Sequence, residues 1–188
     1  MKVVGLAGWS GAGKTTLLTR VLPLLTGRSL KVSTIKHAHH GFDIDHPGKD
    51  SFEHRVAGAS EVLIASGRRW ALLHELREEA EPGLAALLGK LSACDLVIVE
   101  SFKRAAHPKI EVHRTANGKP FLFPEVPGIT GLVCDAPPSG WAGSWAHPDD
   151  IPAAAELLLA AAVPLAALRD VPSGDPLHAA APQPLALG

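Results

Sequence analysis

The sequence predicts an α/β fold: a three-layer sandwich around a mostly parallel sheet, with a β-hairpin added to it. Three observations carry that expectation. Short apolar runs alternate with stretches of helical period along most of the chain, as in a parallel sheet wrapped by helices. The first apolar run leads directly into a glycine-rich turn and then a helical segment. Two further runs, 61–66 and 70–75, flank Gly67-Arg68-Arg69, a spacing that suits a hairpin and not a crossover.

The first element is Lys2-Val3-Val4-Gly5-Leu6-Ala7, a short run of the kind that forms a parallel strand buried on both faces. Residues 8–15 follow as Gly8-Trp9-Ser10-Gly11-Ala12-Gly13-Lys14-Thr15, a complete G-x-x-x-x-G-K-[ST] loop. Its glycines let successive backbone N–H groups turn inward around phosphate oxygens. Lys14 brings a cation to the terminal phosphates, and the Thr15 hydroxyl is placed to ligate Mg²⁺. From Thr16 the apolar positions 17, 18, 21, 22, 24 and 25 keep helical spacing. Strand, loop and helix together predict a P-loop NTPase-type fold that binds a nucleoside triphosphate.

Further strands are expected at Leu30–Lys36, Glu61–Ser66, Trp70–Glu75, Asp95–Glu100, Lys109–His113 and Gly128–Cys134. Helices are expected at Lys14–Thr26, Lys49–Gly58, Glu81–Lys90 and Asp149–Ala162, with Pro82 in the first turn of the third. Residues 1–165 then form one nucleotide-binding domain. Residues 166–188, rich in proline and alanine and without a sustained period, read as a flexible tail.

Composition narrows the class. At 188 residues and 46% hydrophobic content, the chain can bury the core of one domain. A formal charge of −1 gives no reason to expect nucleic acid or an anionic membrane as a partner. Ala153–Leu168 comes nearest to a membrane span, and Glu156 and Pro164 interrupt it. Cys94 and Cys134 lie in apolar runs without metal-ligand spacing. With no signal peptide read at the N-terminus, a reducing cytoplasm is expected.

A phosphate loop needs an opposing acid for Mg²⁺ or its water. Asp95-Leu96-Val97-Ile98-Val99-Glu100 is flanked by two, about 16 Å apart at ~3.3 Å per residue. Ligands of open α/β sheets sit at the carboxyl ends of strands, so Glu100 is the candidate and Asp95 is not. Lys103 and Arg104 follow at the same edge, either to meet phosphates or to stand in solvent. Asp135 ends another strand, where a carboxylate could accept from the N1–H and exocyclic amine of guanine. It stands without the N-K-x-D tetrapeptide in which such an aspartate is common, and a turn residue is the plainer alternative.

The stretch Lys36 to Ser51 holds four of the ten histidines, three aspartates and two lysines. A transition-metal site fits the residue types but not the ligand spacing. A solvated loop without a role is a second reading. The favoured one is a loop over the triphosphate, in which Asp43, Asp45 or Asp50 assists Mg²⁺ or orients water while Lys36 or Lys49 meets phosphate. Asp50 and Glu100 are thus the candidate catalytic carboxylates and, with Thr15, the candidate Mg²⁺ ligands.

These residues resemble a known family, the molybdopterin-guanine dinucleotide biosynthesis adaptor protein B family. The resemblance rests on G-W-S-G-A-G-K-T at 8–15, T-I-K-H-A-H-H-G-F-D-I-D-H-P-G-K-D-S at 34–51, H-R-V-A-G-A at 54–59 and D-L-V-I-V-E-S-F-K at 95–103. It extends over about residues 1 to 162 and leaves out the tail. Ser101 departs from it, since the family usually shows glycine before Phe-Lys. The resemblance implies a cytoplasmic, homodimeric GTP-binding protein with slow GTPase activity at most. Its partner would be the nucleotidyltransferase (the A protein) that joins GMP to molybdopterin. It also implies that Gly8, Ser10, Gly11, Ala12, Gly13, Lys14, Thr15 and Thr16 hold the phosphates. Lys36, His37, Glu100 and Lys103 would line the same site, and the 36–51 loop would contact the pterin or the partner. A P-loop small-molecule kinase is one alternative, although no arginine-rich lid is evident. A metallochaperone-type GTPase using His37, His39, His40 and His46 is another.

Overall fold

The computed structural model describes residues 1–38 and 41–168, so the expected tail beyond 168 and two of the loop histidines lie outside the described residues. The chain divides into two compact units, Met1–His37 with the chain from Gly83 onward, and Ala38–Pro82.

The first unit is built on one sheet. Its strands are β1 (Lys2–Ala7), β2 (Val32–Lys36), β5 (Leu96–Glu100), β6 (Lys109–His113), β7 (Ile129–Cys134), β8 (Ser144–Ala146) and β9 (Val163–Pro164). The order is β2-β5-β1-β6-β7-β8, all parallel, with β9 antiparallel against the start of β1. In register, Leu6 and Lys36 both stand opposite Glu100, so β1, β5 and β2 present their carboxyl ends at one level.

Strand alternation sorts the core into two layers. Val4, Leu6, Ile98, Ile110 and Val133 pack against Leu17, Leu18, Val21 and Leu25 of α1 (Lys14–Gly27) and Ala154, Ala155 and Leu158 of α4 (Ile151–Ala161). Val3, Val97, Val99 and Ile35 face the other way, onto Cys94 and Leu88 of α3 (Leu84–Gly89). Each fully buried aliphatic side chain contributes roughly 1.5–3 kcal/mol, so both helical layers are held by the same few strands. The expected three-layer sandwich is present. Helix α3 is shorter than its expected span: Gly83 is extended and serves as its N-cap, leaving Pro82 outside. The reason is that Leu84 is the first of the apolar anchors, with Leu87, Leu88 and Leu91, that dock on this face.

β6 departs from the apolar pattern of its neighbours. Lys109 and Glu111 are as buried as Ile110 and Val112, and His113 is nearly so. Backbone groups satisfy the first two: Lys109 Nζ donates to the carbonyls of Ala105, His107 and Pro127. Glu111 accepts from the N–H groups of Leu122 (2.7 Å) and Phe123 (3.0 Å). Segment 120–128 is thereby pinned over that strand in place of a helix.

The second unit holds α2 (Asp50–Val56) and the hairpin of β3 (Glu61–Ala65) and β4 (Trp70–His74). The hairpin forms within a residue of its expected limits, as a separate two-stranded sheet and not as part of the central one. Arg55 organises this unit, bonding Asp43 at 2.7 Å and Glu75 at 2.8 Å, with Asp45 3.7 Å away.

Candidate functional site

The cradle follows β1 and folds as its glycines require. Gly8, Gly11 and Gly13 all have positive φ, of 149°, 77° and 90°. A Cβ on Gly8 would stand 2.5 Å from the Val112 carbonyl oxygen, so no side chain fits there. Gly13 caps α1 in the left-handed region and no side chain caps the first turn. The first-turn amides, with the positive end of the helix dipole, therefore face the cradle. Thr15 and Thr16 are exposed beside them.

Lys14 lies across the loop, its ammonium donating to the carbonyls of Gly8 and Trp9, both at 3.0 Å. Burial lowers its pKa. The Glu100 carboxylate works against that shift, and the Lys103 and Lys36 ammonium groups add to it. These four charges therefore sense one another at one edge of the sheet. Glu100 is only 7% exposed, and its carbonyl accepts from the His37 N–H at 3.1 Å. The His37 ring lies 4.9 Å from that of Phe102, and Lys103 sits over the Trp9 indole at 4.8 Å. Ser101 turns the chain between Glu100 and Lys103 with φ of 83°, a conformation that favours glycine.

The opposite flank of the cradle is formed by the chain after β6, which the sequence did not single out. Asn117 Nδ2 donates to the Ser10 carbonyl at 3.1 Å, and the Trp9 indole N–H donates to the Pro120 carbonyl at 2.8 Å. Arg114 lies beside Gly13, its Nε 3.9 Å from where a Cβ on that glycine would be. Its Nη1 donates to Asp135 Oδ1 at 3.1 Å, and the Thr115 N–H donates to Asp135 Oδ2 at 2.7 Å. That backbone bond first, and Arg114 after it, hold the Asp135 carboxyl below the usual carboxylate range. Arg114 was findable: it follows a strand at the carboxyl edge, the same criterion that selected Glu100. Asn117 and the Trp9 indole had no such signal.

Most of the residues expected at the site therefore share one edge: the 8–16 cradle, Lys36, His37, Glu100, Lys103 and Asp135. Asp50 belongs to the second unit, where it is exposed on the first turn of α2. Asp43 and Asp45, also expected to assist Mg²⁺, are bound up with Arg55. Among the described residues no three His, Cys, Asp or Glu side chains converge as metal ligands, and no helix is long and apolar enough to cross a membrane. The donor set at the cradle suits a hard cation with phosphate: a hydroxyl at Thr15, a carboxylate at Glu100 and a ring of backbone N–H groups.

The family described as molybdopterin guanine dinucleotide synthesis protein B matches residues 3–135. The molybdopterin-guanine dinucleotide biosynthesis adapter protein of Escherichia coli (strain K12) is 44% identical over 118 residues, which cover 62% of this chain and 67% of that protein. The adapter protein of the same description from Haemophilus influenzae is 41% identical over 124 residues, 66% of this chain and 68% of that one. A crystal structure of a molybdopterin-guanine biosynthesis protein B aligns with a TM-score of 0.67 at 32% identity, covering 84% of this chain and 97% of that chain.

Proposed function

This chain belongs to the molybdopterin guanine dinucleotide synthesis protein B family, and from that premise we propose that it is a GTP-binding accessory protein assisting attachment of GMP to molybdopterin. The observation that carries the reading is the pose of Lys14. Its ammonium spans the glycine loop on two carbonyls, with Glu100 buried at the end of the next strand. A lysine so placed exchanges loop carbonyls for phosphate oxygens when a triphosphate enters. Gly8 to Thr16 hold the phosphates in this reading, with Lys36, His37 and Lys103 at the rim. Thr15 and Glu100 would hold Mg²⁺, whose chemistry there is to neutralise phosphate charge. Hydrolysis is proposed as slow at most, because fast phosphoryl transfer needs a positioned water and further cations closing on the terminal phosphate.

The partner in this reading is the guanylyltransferase of the same pathway, with the 36–51 loop toward it or the pterin, in the cytoplasm. A homodimer is proposed on the apolar residues that the hairpin leaves in solvent, among them Leu63 at 62% and Trp70 at 66% exposure. Calorimetric titration with GTP and with ATP, each with Mg²⁺, tests the core of the proposal. GTP is expected to bind and ATP to bind far more weakly. A clear ATP preference would replace this reading with that of a P-loop kinase.

A further inference from the structure

Phosphate binding uses one end of the cradle and leaves the other unexplained. Lys14, Glu100, Lys36 and Lys103 define the end for the terminal phosphates, on the side of β5 and β2. The other flank, at Gly13 and the start of α1, faces the carboxyl ends of β6 and β7. A nucleotide whose terminal phosphate lies at Lys14 passes its α-phosphate over the start of α1 and sends its base toward that flank. What stands there is an ion pair. Arg114 and Asp135 are each about one-third exposed, and a main-chain N–H fixes the aspartate at 2.7 Å.

We propose that Arg114 and Asp135 together read the base as guanine, a role that rests on the triphosphate reading above and adds the base to it. Guanine presents along one edge an acceptor, O6, followed by two donors, N1–H and the 2-amino group. A guanidinium donates to O6, and a carboxylate accepts from both donors. The two protein groups already lie side by side at 3.1 Å, so their order matches that edge before any ligand arrives. Each Asp135 oxygen spends one lone pair, on Arg114 or on Thr115, and keeps another for the base. Adenine presents the reverse at both positions: an amino donor toward the guanidinium and a ring lone pair toward the carboxylate. Asp135 therefore acts without an N-K-x-D loop, because Arg114 from the neighbouring strand supplies the second half of the code.

The test is calorimetry on the full chain with the Mg²⁺ complexes of GTP, ATP, xanthosine triphosphate and tripolyphosphate. The wild type is expected to favour GTP over ATP by about 100-fold, the discrimination of two mismatched charged hydrogen bonds. In Asp135→Asn the amide oxygen, kept on the Arg114 side, still accepts from Arg114 and from N1–H, while the amide N–H₂ takes the place of Oδ2, gives up the bond from the Thr115 N–H and meets the 2-oxo group of xanthine. That variant is expected to lose about 100-fold in GTP affinity and to favour xanthosine triphosphate, with tripolyphosphate bound as in wild type. Arg114→Gln should weaken GTP by about 10-fold. A wild type that binds tripolyphosphate but treats GTP and ATP alike overturns the base pair and leaves the phosphate site standing, without recourse to any variant. Asp135→Asn retaining GTP over xanthosine triphosphate overturns it too. A wild type that binds neither nucleotide nor tripolyphosphate removes the triphosphate reading and this one with it.

Discussion

The central sheet and the hairpin are both built from short apolar strands, yet their side chains meet opposite fates. Every residue of β5 is buried, because helices or pinned segments cover both faces of the sheet. In β3 and β4 no residue is fully buried, and Leu63, Ile64, Trp70 and Leu72 stand largely in solvent. Two strands and a seven-residue helix lack the area to cover themselves. The sheet unit is thus a finished core that can hold a rigid site at its edge. The hairpin unit carries apolar surface that it does not itself consume.

Substitution should expose this contrast most strongly at the core. Ile98→Ala removes a side chain with no solvent exposure and should cost about 3–4 kcal/mol in urea unfolding, whereas Leu63→Ala should cost well under 1. Equal losses at the two positions would erase the distinction.

Acid should act next, most strongly through a buried histidine of the sheet unit. Burial first, and the Lys109 ammonium second, lower the pKa of His107 to about 4 from 6.5. The unfolded chain therefore binds the proton more readily than the folded one. Stability is full above about pH 6.5, falls as the pH drops toward 4, and loses on the order of 3 kcal/mol in all. His107→Gln should flatten that part of the pH–stability curve. An unchanged slope would show that His107 is not buried as a neutral ring.

A smaller thermodynamic effect with a large readout is expected at the hairpin. Leu63→Ser with Leu72→Ser should leave the circular dichroism spectrum intact while halving the mass measured by sedimentation, if the exposed face joins two copies. Smallest is Ser101→Gly, expected to stabilise by about 0.5–1 kcal/mol because a serine at φ of 83° is strained. Destabilisation there would mean that the serine side chain makes a compensating contact.

Much of the sheet unit was legible because local signals coincide with global ones. The glycine loop demands a strand before it and a helix after it, and the acids around 96–99 mark both ends of β5. At the amino end Asp95 accepts from the Lys31 N–H at 2.8 Å, and at the carboxyl end Glu100 faces Lys14, as strand polarity requires. The rest was hidden for identifiable reasons. β8 and β9 are three and two residues long, too short for a period. The burial of Lys109 and Glu111 depends on carbonyl and N–H groups supplied by residues up to eighteen positions away, which no window reveals. Arg114 was missed because the search for acids passed over a cation at an equivalent strand end.

The central claim is that the loop from Gly8 to Thr15 holds a nucleoside triphosphate through Lys14. Titration of Mg²⁺·GTP into the wild type and into Lys14→Ala tests it most directly, with urea unfolding run on both. The expected result is one site per chain in the wild type, at least about 100-fold weaker binding in the variant, and coincident unfolding midpoints. A variant that binds GTP as the wild type does would contradict the account.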